Sequence, residues 1–336
     1  MKLMNMFAFL LSASLSAHAA AEPSFREVYD LLRTQLKGVT EQQLDQAALA
    51  GLLERFKGRV ILGTTAPTDT NAPVLPKATV YDSSYAYLRL NRVEAGAAET
   101  VIKAWENLAT TNRLKGLVLD LRFARGTDFA AAGAVADLFF SDERSLLSWA
   151  GENARSHAKT NAIKGPVMIL VNQGTMGAPE ALAAALRENR TGLILGTNTA
   201  GQAAVLQEFK LANGQTIRIA SALVQVGEGQ PLETRGVRPD ILVRISPEEE
   251  IAFFQDEFRL PNQPLAAVGN TSTNRTARAR INEAELVRMR REGKDPDQED
   301  SAATKIANPA KLVRDPVLAR ALDLLKGLAI VQPTKP

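Results

Sequence analysis

The stretch 167–188, VMILVNQGTMGAPEALAAALRE, has the residue order that many hydrolases use to present a nucleophile. The apolar run 167–171 predicts a buried strand, a polar turn follows, and Pro179 suits the first turn of a helix. A strand that runs through a tight turn into a helix directs backbone N–H groups and the positive end of the helix dipole at one point. At this point the sequence has Gly177, which has no side chain that could act as a nucleophile.

The composition excludes several other kinds of site. The chain has 336 residues and no cysteine, so disulfides, thiol catalysis and cysteine–zinc sites are excluded together. The chain has two histidines, His18 and His157, and the mature chain expected after removal of an export signal keeps only His157, which excludes a multi-histidine metal site. The net charge of +3 and the aromatic fraction of 5% give no case for nucleic-acid binding. We expect no cofactor and no metal.

The N-terminus has the features of an export signal. Lys2 precedes the mostly apolar stretch 4–15, and Ala17-His18-Ala19 fits a cleavage site, with 19–21 as a second option. The apolar stretch is too short for a membrane helix, and a buried first helix is the less favoured alternative. We therefore predict a signal peptide at 1–21 and an exported mature chain without a membrane span, periplasmic if the source is a Gram-negative bacterium.

Strands alternate with helices over the middle of the chain. Strand patterns at 85–90, 116–121, 167–171 and 193–196 are interleaved with helical patterns at 97–108, 128–140 and 178–188, which predicts an α/β core with parallel pairing. An Asn-Gly turn at 213–214 predicts a hairpin, and 236–241 predicts a turn that leads into a last strand. The regions we predict are an N-terminal helical region at 22–58, a linker at 59–77, the core at 78–250 and a charged helical region at 251–336.

The flanking regions contain recognisable helix starts. A capping box at Thr40 and Gln43 begins the second N-terminal helix, and a short strand is predicted at 60–62. Near the C-terminus, Asn282 and Glu285 cap a charged helix, and Asp315-Pro316 opens a final apolar one. The basic stretch 275–294 is interpreted as a solvated helix face rather than an interaction surface, because glutamates interrupt its charge.

Five ordered motifs make the chain resemble the C-terminal processing (tail-specific) serine peptidases. KGLVLDLRFARGT at 115–127 is similar to that family's Gly-(hydrophobic)-Asp-Leu-Arg-Asn-Asn-Pro-Gly-Gly segment, and VNQGTMGAPEALAAAL to its Asn-x-x-Thr-Ala-Ser-Ala-Ser-Glu nucleophile segment. GTNTAGQ at 196–202 resembles its Gly-x-x-Thr-x-Gly-Lys segment, and the Asn-Gly hairpin and the Gly-Val-Arg-Pro-Asp turn at 236–240 also have counterparts. The resemblance implies a ClpP/crotonase-type core. The roughly twenty residues between helices and core are too few for the family's inserted PDZ module.

The departures from this pattern fall on the catalytic positions. The family's nucleophilic serine corresponds to Gly177 and its general-base lysine to Gln202, and neither residue can perform that chemistry. The oxyanion loop keeps Gly126 but has Thr127 in place of a second glycine, and backbone N–H groups at Gly126 and Ala178 are the expected oxyanion-like donors. The resemblance therefore implies a pseudopeptidase that binds or scaffolds.

Other side chains could in principle replace the missing pair. Thr175 and Ser221 are the nearby hydroxyls, but we interpret them as turn and strand residues satisfied by local hydrogen bonds. Glu180 is interpreted as a helix N-terminal charge and His157 as a surface residue. A divergent hydrolase with relocated residues is the alternative function, and a crotonase-type acyl-CoA enzyme is disfavoured by export.

The expected partner is an extended peptide or a protein C-terminus. In the active family the substrate resembles an added strand, so we expect the loop 122–127, the strand before Gly177 and the helix start at Ala178 to form a cleft. Gly177 is expected to leave room where a serine stood.

Overall fold

The computed structural model describes residues 22–63, 72–232, 235–259 and 312–331. It contains seven helices in these ranges: α1 Phe25–Gln35, α2 Glu41–Arg55, α3 Ala97–Thr111, α4 Phe129–Asp137, α5 Ala178–Glu188, α6 Pro247–Gln255 and α7 Pro316–Val331. The strands described are β1 Val60–Leu62, β2 Lys77–Tyr81, β3 Tyr85–Arg89, β4 Gly116–Asp120, β5 Arg125–Gly126, β6 Ser145–Trp149, β7 Glu152–Arg155, β8 Val167–Val171, β9 Met176–Gly177, β10 Gly192–Gly196, β11 Ala204–Lys210, β12 Thr216–Leu223, β13 Gln225–Val226, β14 Gln230–Pro231 and β15 Ile241–Leu242.

The chain divides into two compact units, Met1–Arg55 and Phe56–Pro336. The described part of the first unit consists of α1 and α2, and neither helix has a buried residue. The capping box predicted for α2 is confirmed, because Thr40 Oγ1 accepts from Gln43 N at 3.2 Å and Gln43 Oε1 accepts from Thr40 N at 2.9 Å. None of the helices in the described ranges combines the length and apolar character that a membrane span requires.

A six-stranded sheet in the order β15-β10-β8-β4-β3-β2 forms the centre of the second unit. The five strands from β15 to β3 pair in parallel, and only β2 is antiparallel to its neighbour. Because crossovers between parallel strands pass over the sheet faces, both faces are covered, and the central strands β3, β4 and β8 are buried throughout. This confirms the predicted α/β class.

The two faces of the sheet follow from the period-2 alternation of side chains. Leu117, Leu119 and Ile169 point to one face, in the core cluster that also contains buried residues of α3, α4 and α5. Val118 and Met168 point to the other face, where buried residues of α7 cover them. Thus α7, which the sequence assigned to a C-terminal region at 251–336, packs directly on the core sheet. The charged helix predicted from Asn282 and the signal peptide lie outside the described residues.

A separate three-stranded sheet, β1-β12-β11, contains the predicted hairpin. Gly214 in its turn has φ +82°, and Asn213 Oδ1 accepts from Gln215 N at 3.0 Å, so the Asn-Gly prediction is confirmed. β1 pairs antiparallel with β12. The short strand predicted at 60–62, at the start of the segment assigned to a linker, is therefore confirmed.

Buried ion pairs join α7 to the end of β4. Arg122 and Asp315 are fully buried, and Arg122 Nη2 lies 2.7 Å from Asp120 Oδ2 and 2.8 Å from Asp315 Oδ2. Burial alone would raise the pKa of Asp120, but the Arg122 charge holds it below its ordinary value. Asp315 Oδ1 also accepts from Val317 N and Leu318 N, which caps α7. One carboxylate thus fixes both a helix start and a buried arginine.

We predict that Asp315→Ala lowers the free energy of unfolding by about 4 kcal/mol, because it leaves a buried guanidinium under-paired and removes a helix cap. Chemical denaturation followed by circular dichroism measures this change. The matched control is Lys326→Ala, which removes the half-exposed pair with Asp82 and should cost at most about 1 kcal/mol. Equal losses of stability in the two variants would contradict the role of Asp315 as partner of Arg122 and cap of α7.

Candidate functional site

The site lies where β8 turns into α5, at the carboxyl ends of the parallel strands. Asn172 O accepts from Thr175 N at 2.9 Å and Asn172 Oδ1 accepts from Gly174 N at 3.0 Å, so the turn is closed by its own groups. Gly177 follows with φ +74° and ψ −122°, and α5 begins at Ala178. This backbone conformation is one that residues with a Cβ adopt only under strain. The predicted strand–turn–helix at this point is confirmed.

The loop 122–127 lies against this turn from the neighbouring strand end. Met176 N donates to Ala124 O at 3.0 Å, and the parallel register places Arg125 beside Met176 and Gly126 beside Gly177. A Cβ built on Gly177 would stand 2.1 Å from the carbonyl oxygen of Gly126. The expectation that Gly177 leaves room where a serine stood is therefore wrong, because a backbone oxygen already fills that place.

Gly126 is enclosed on its other side as well. A Cβ on Gly126 would stand 2.3 Å from the carbonyl oxygen of Val93, and Val93 N donates to Arg125 O at 3.0 Å. Three backbone segments thus approach so closely that Gly126 and Gly177 have no room for a Cβ. Gly126 also turns its carbonyl oxygen toward position 177. Ala178, the other predicted donor, is fully buried.

Phe123 occupies the first loop position in a left-handed conformation, with φ +60°. The resemblance places asparagine here, a residue that tolerates this region better than phenylalanine does. The Phe123 ring packs edge-on against Phe254 of α6, with centroids 4.9 Å apart, and the Arg89 guanidinium lies 3.9 Å from the Phe254 centroid. Aromatic and cation–π contacts thus offset the backbone strain, and they fix the loop from behind.

Glu180 brings together Gly177 and Gln202, the two positions to which the resemblance assigns the nucleophile and the base. Its Oε1 accepts from both Gly177 N and Gln202 N at 2.8 Å, so these nitrogens are no more than twice that distance apart. Its Oε2 accepts from Gly201 N at 2.7 Å and from the Thr199 hydroxyl. The sequence reading of Glu180 as a helix N-terminal charge is confirmed, but the carboxylate also anchors the loop from β10, which that reading missed.

The electrostatics of this carboxylate are set by its surroundings. Burial raises the pKa of Glu180, while the four donors favour its ionised form. Thr199 fixes the position of the Glu180 side chain, because the Thr199 hydroxyl is itself held by a hydrogen bond that it accepts from Val237 N at 2.8 Å. The motif at 196–202 contains this threonine, so the pattern itself offered a signal for its role.

The alternative nucleophiles are engaged elsewhere. Thr175 is fully buried, and its hydroxyl donates to Leu121 O at 2.8 Å and accepts from Asn172 N at 3.0 Å. Ser221 lies on β12 and donates to Val205 O at 3.1 Å. His157 is exposed and its Nδ1 lies 3.3 Å from Asp137 Oδ2. The interpretation of all three as structural or surface residues is supported.

The chemistry available at positions 177 and 202 is that of a backbone and an amide. Gln202 has no titratable nitrogen, and Gly177 has no side chain, so the juxtaposed pair offers neither nucleophile nor base. Among the described residues there is also no group of three or more His, Asp or Glu side chains placed to hold a metal ion.

The chain is similar in sequence to known carboxy-terminal-processing proteases. Residues 84–243 match the model of peptidase family S41. The chain is 30% identical over 151 residues to a carboxy-terminal-processing protease of Bartonella bacilliformis, and 28% identical over 163 residues to a carboxyl-terminal-processing protease of Synechocystis. These matches cover 43% and 48% of this chain, and only 35% and 38% of the relatives.

A structural neighbour supports the fold alone. The crystal structure of a candidate peptidase from Parabacteroides merdae aligns with a TM-score of 0.51 at 16% identity, covering 70% of this chain and 87% of the neighbour.

We predict that Glu180→Gln lowers the free energy of unfolding by about 2–4 kcal/mol, because the new amide nitrogen would face backbone N–H donors. Urea denaturation measures the loss, and the amide resonances of Gly201 and Gln202 should shift with it. Gln202→Ala is the control, since Glu180 binds its backbone and not its side chain. If Glu180→Gln is as stable as Gln202→Ala, the Glu180 carboxylate does not anchor the loop.

Proposed function

We propose that this homologue of the carboxy-terminal-processing proteases, with an α/β core of peptidase family S41, binds extended peptide or protein segments without cleaving them. One observation carries the proposal: the two dyad positions are neighbours through Glu180, yet they hold Gly177 and Gln202. This supports a binding role, because neither residue supplies a nucleophile or a general base. Loss of nucleophile or base from a serine peptidase costs on the order of 10⁶ in kcat.

The partner class is argued from the relatives and from the loop. The relatives are named for processing carboxyl termini, and strand addition to exposed backbone is a general mode of peptide binding. Because Gly126 packs against Gly177, a peptide that enters the predicted cleft must first separate these two segments. We expect weak binding, with Kd of tens of micromolar or above, where 1 μM corresponds to about −8.2 kcal/mol.

A hydrolase whose catalytic residues lie at other positions is the second candidate function, but no contact among the described residues favours it. The hydroxyl of Thr175 is enclosed and Ser221 lies on the outer hairpin sheet. Neither has a histidine, lysine or carboxylate among its hydrogen-bond partners.

The test combines binding and turnover in one sample. Unlabelled peptides with free or amidated apolar C-termini are titrated into isotope-labelled protein, and product formation is followed by mass spectrometry over hours. We expect amide shifts in 122–127 and 197–203 with no product, beside an active relative as positive control. Product formation would overturn the inactive state, and an absence of shifts at millimolar peptide would overturn peptide binding.

The same assay on Gly177→Ser/Gln202→Lys tests two explanations of inactivity. One is the absence of a serine and a lysine side chain, and the other is the lack of space beside Gly126. We expect this variant to stay inactive and to be destabilised, because the new Cβ meets Gly126 O. Adding Thr127→Gly loosens the loop and should recover part of the lost stability and allow weak hydrolysis. The stability control is Gly151→Ala, which has φ +86° with nothing within 4 Å, so it carries only the backbone strain of about 1–3 kcal/mol. Full activity in the double variant would show that the closed loop is no barrier.

We also propose that the chain is exported. The charged start, the short apolar stretch and the small residues at 17–21 support this. Intact-mass analysis of the full-length gene product recovered from a Gram-negative host should show a chain that begins after residue 19 or 21. A recovered chain that still contains residues 1–19 would overturn the proposal.

A further inference from the structure

The three-stranded sheet presents a long open edge. Seven residues make β11 the longest edge strand in the described ranges, and no described strand pairs with its outer side. The last four residues of β11, 207–210, are exposed. An unpaired edge of this length is a template for another strand, and natural proteins usually protect such edges.

One face of this sheet is an apolar surface that reaches the open edge. The register aligns Phe209 with Ile217 and then with Leu62, and it aligns Gln207 with Ile219 and then with Val60. Phe209 is 43% exposed and Ile219 is 40% exposed. One apolar row therefore ends at Phe209 on the open edge, where a further strand would extend it, and the other ends at Gln207.

The edge is complementary to itself in one antiparallel register. If two copies of β11 pair with Phe209 opposite Phe209, Glu208 of each copy stands opposite Lys210 of the other. Gln207 then faces Leu211, on the same side of the sheet as the two phenylalanine rings. Two opposite-charge pairs and one aromatic pair are the cross-strand contacts that stabilise sheets.

We propose that β11 pairs with β11 of a second copy of this chain, so that the two hairpin sheets join into one six-stranded antiparallel sheet. The charge order Glu208-Phe209-Lys210 carries this choice of partner, since reversal of the strand exchanges the two charges. Such an interface is isologous and closes as a two-fold dimer. It uses none of the residues at positions 177, 180 or 202.

The test exchanges the charges one at a time. Wild-type full-length chain, Glu208→Lys and Lys210→Glu are compared by sedimentation velocity over a range of concentrations. We expect a wild-type dimer, and each variant should raise its Kd about tenfold or more, because both cross-strand pairs become repulsive. An equimolar mixture of the two variants should recover the dimer, since each cross-strand pair between positions 208 and 210 then joins a lysine of one copy to a glutamate of the other.

Two controls keep the outcomes distinct. Glu152→Lys, an exposed charge reversal on the edge strand β7, should leave the dimer unchanged. Lys210 stands opposite Thr216 in its own hairpin, so Lys210→Glu removes no cross-strand charge pair at that position, whereas Glu208 stands opposite Arg218. Circular dichroism checks folding. A monomeric wild type, variants that remain dimeric, or a mixture that does not recover would each overturn the proposal.

Discussion

The backbone of Gly126 lies directly against that of Gly177, and the arrangement of the whole site depends on this approach. It is possible because Gly177 has no Cβ, which would stand 2.1 Å from the carbonyl oxygen of Gly126. Gly126 likewise admits the Val93 segment on its other side, since a Cβ there would stand 2.3 Å from the carbonyl oxygen of Val93. The approach joins the segment at Val93, the loop after β4 and the turn before α5 into one layer. The close packing of backbone has taken the space in which the family resemblance places a nucleophile.

Charged groups that are buried around this layer act as structural anchors. Glu180 collects backbone donors from Gly177, Gly201 and Gln202, and Arg122 joins Asp120 to Asp315 behind the loop. Each buried charge is compensated by an opposite charge or by several donors, which is the condition under which burial is tolerated. The site therefore contains a costly polar framework of buried, compensated charges. This framework explains how Gly177 and Gln202 are held close together.

The two proposals concern different surfaces of the second unit. The peptide proposal concerns the loop 122–127 and the carboxyl ends of the parallel strands, where the sheet is enclosed by helices. The dimer proposal concerns β11, in a sheet whose apolar rows are partly exposed and whose outer edge has no described partner. Since the two surfaces share no named contact residue, each can be altered by substitution without a direct change to the other.

The sequence by itself determined the α/β class, the turn before Pro179, the Asn-Gly hairpin and the helix caps, because periodicity and capping depend on near neighbours in the chain. It also placed glycine and glutamine where the family resemblance expects the nucleophile and the base. Only the tertiary structure showed that Gly126 fills the space at Gly177, that Glu180 reaches the loop at 199–202, and that α7 covers the core sheet. These features depend on contacts between residues distant in sequence, and the absence of a Cβ does not reveal which backbone will occupy the space. The two-residue strands β5, β9, β13 and β14 escaped prediction because their pairing partners and not their own patterns define them.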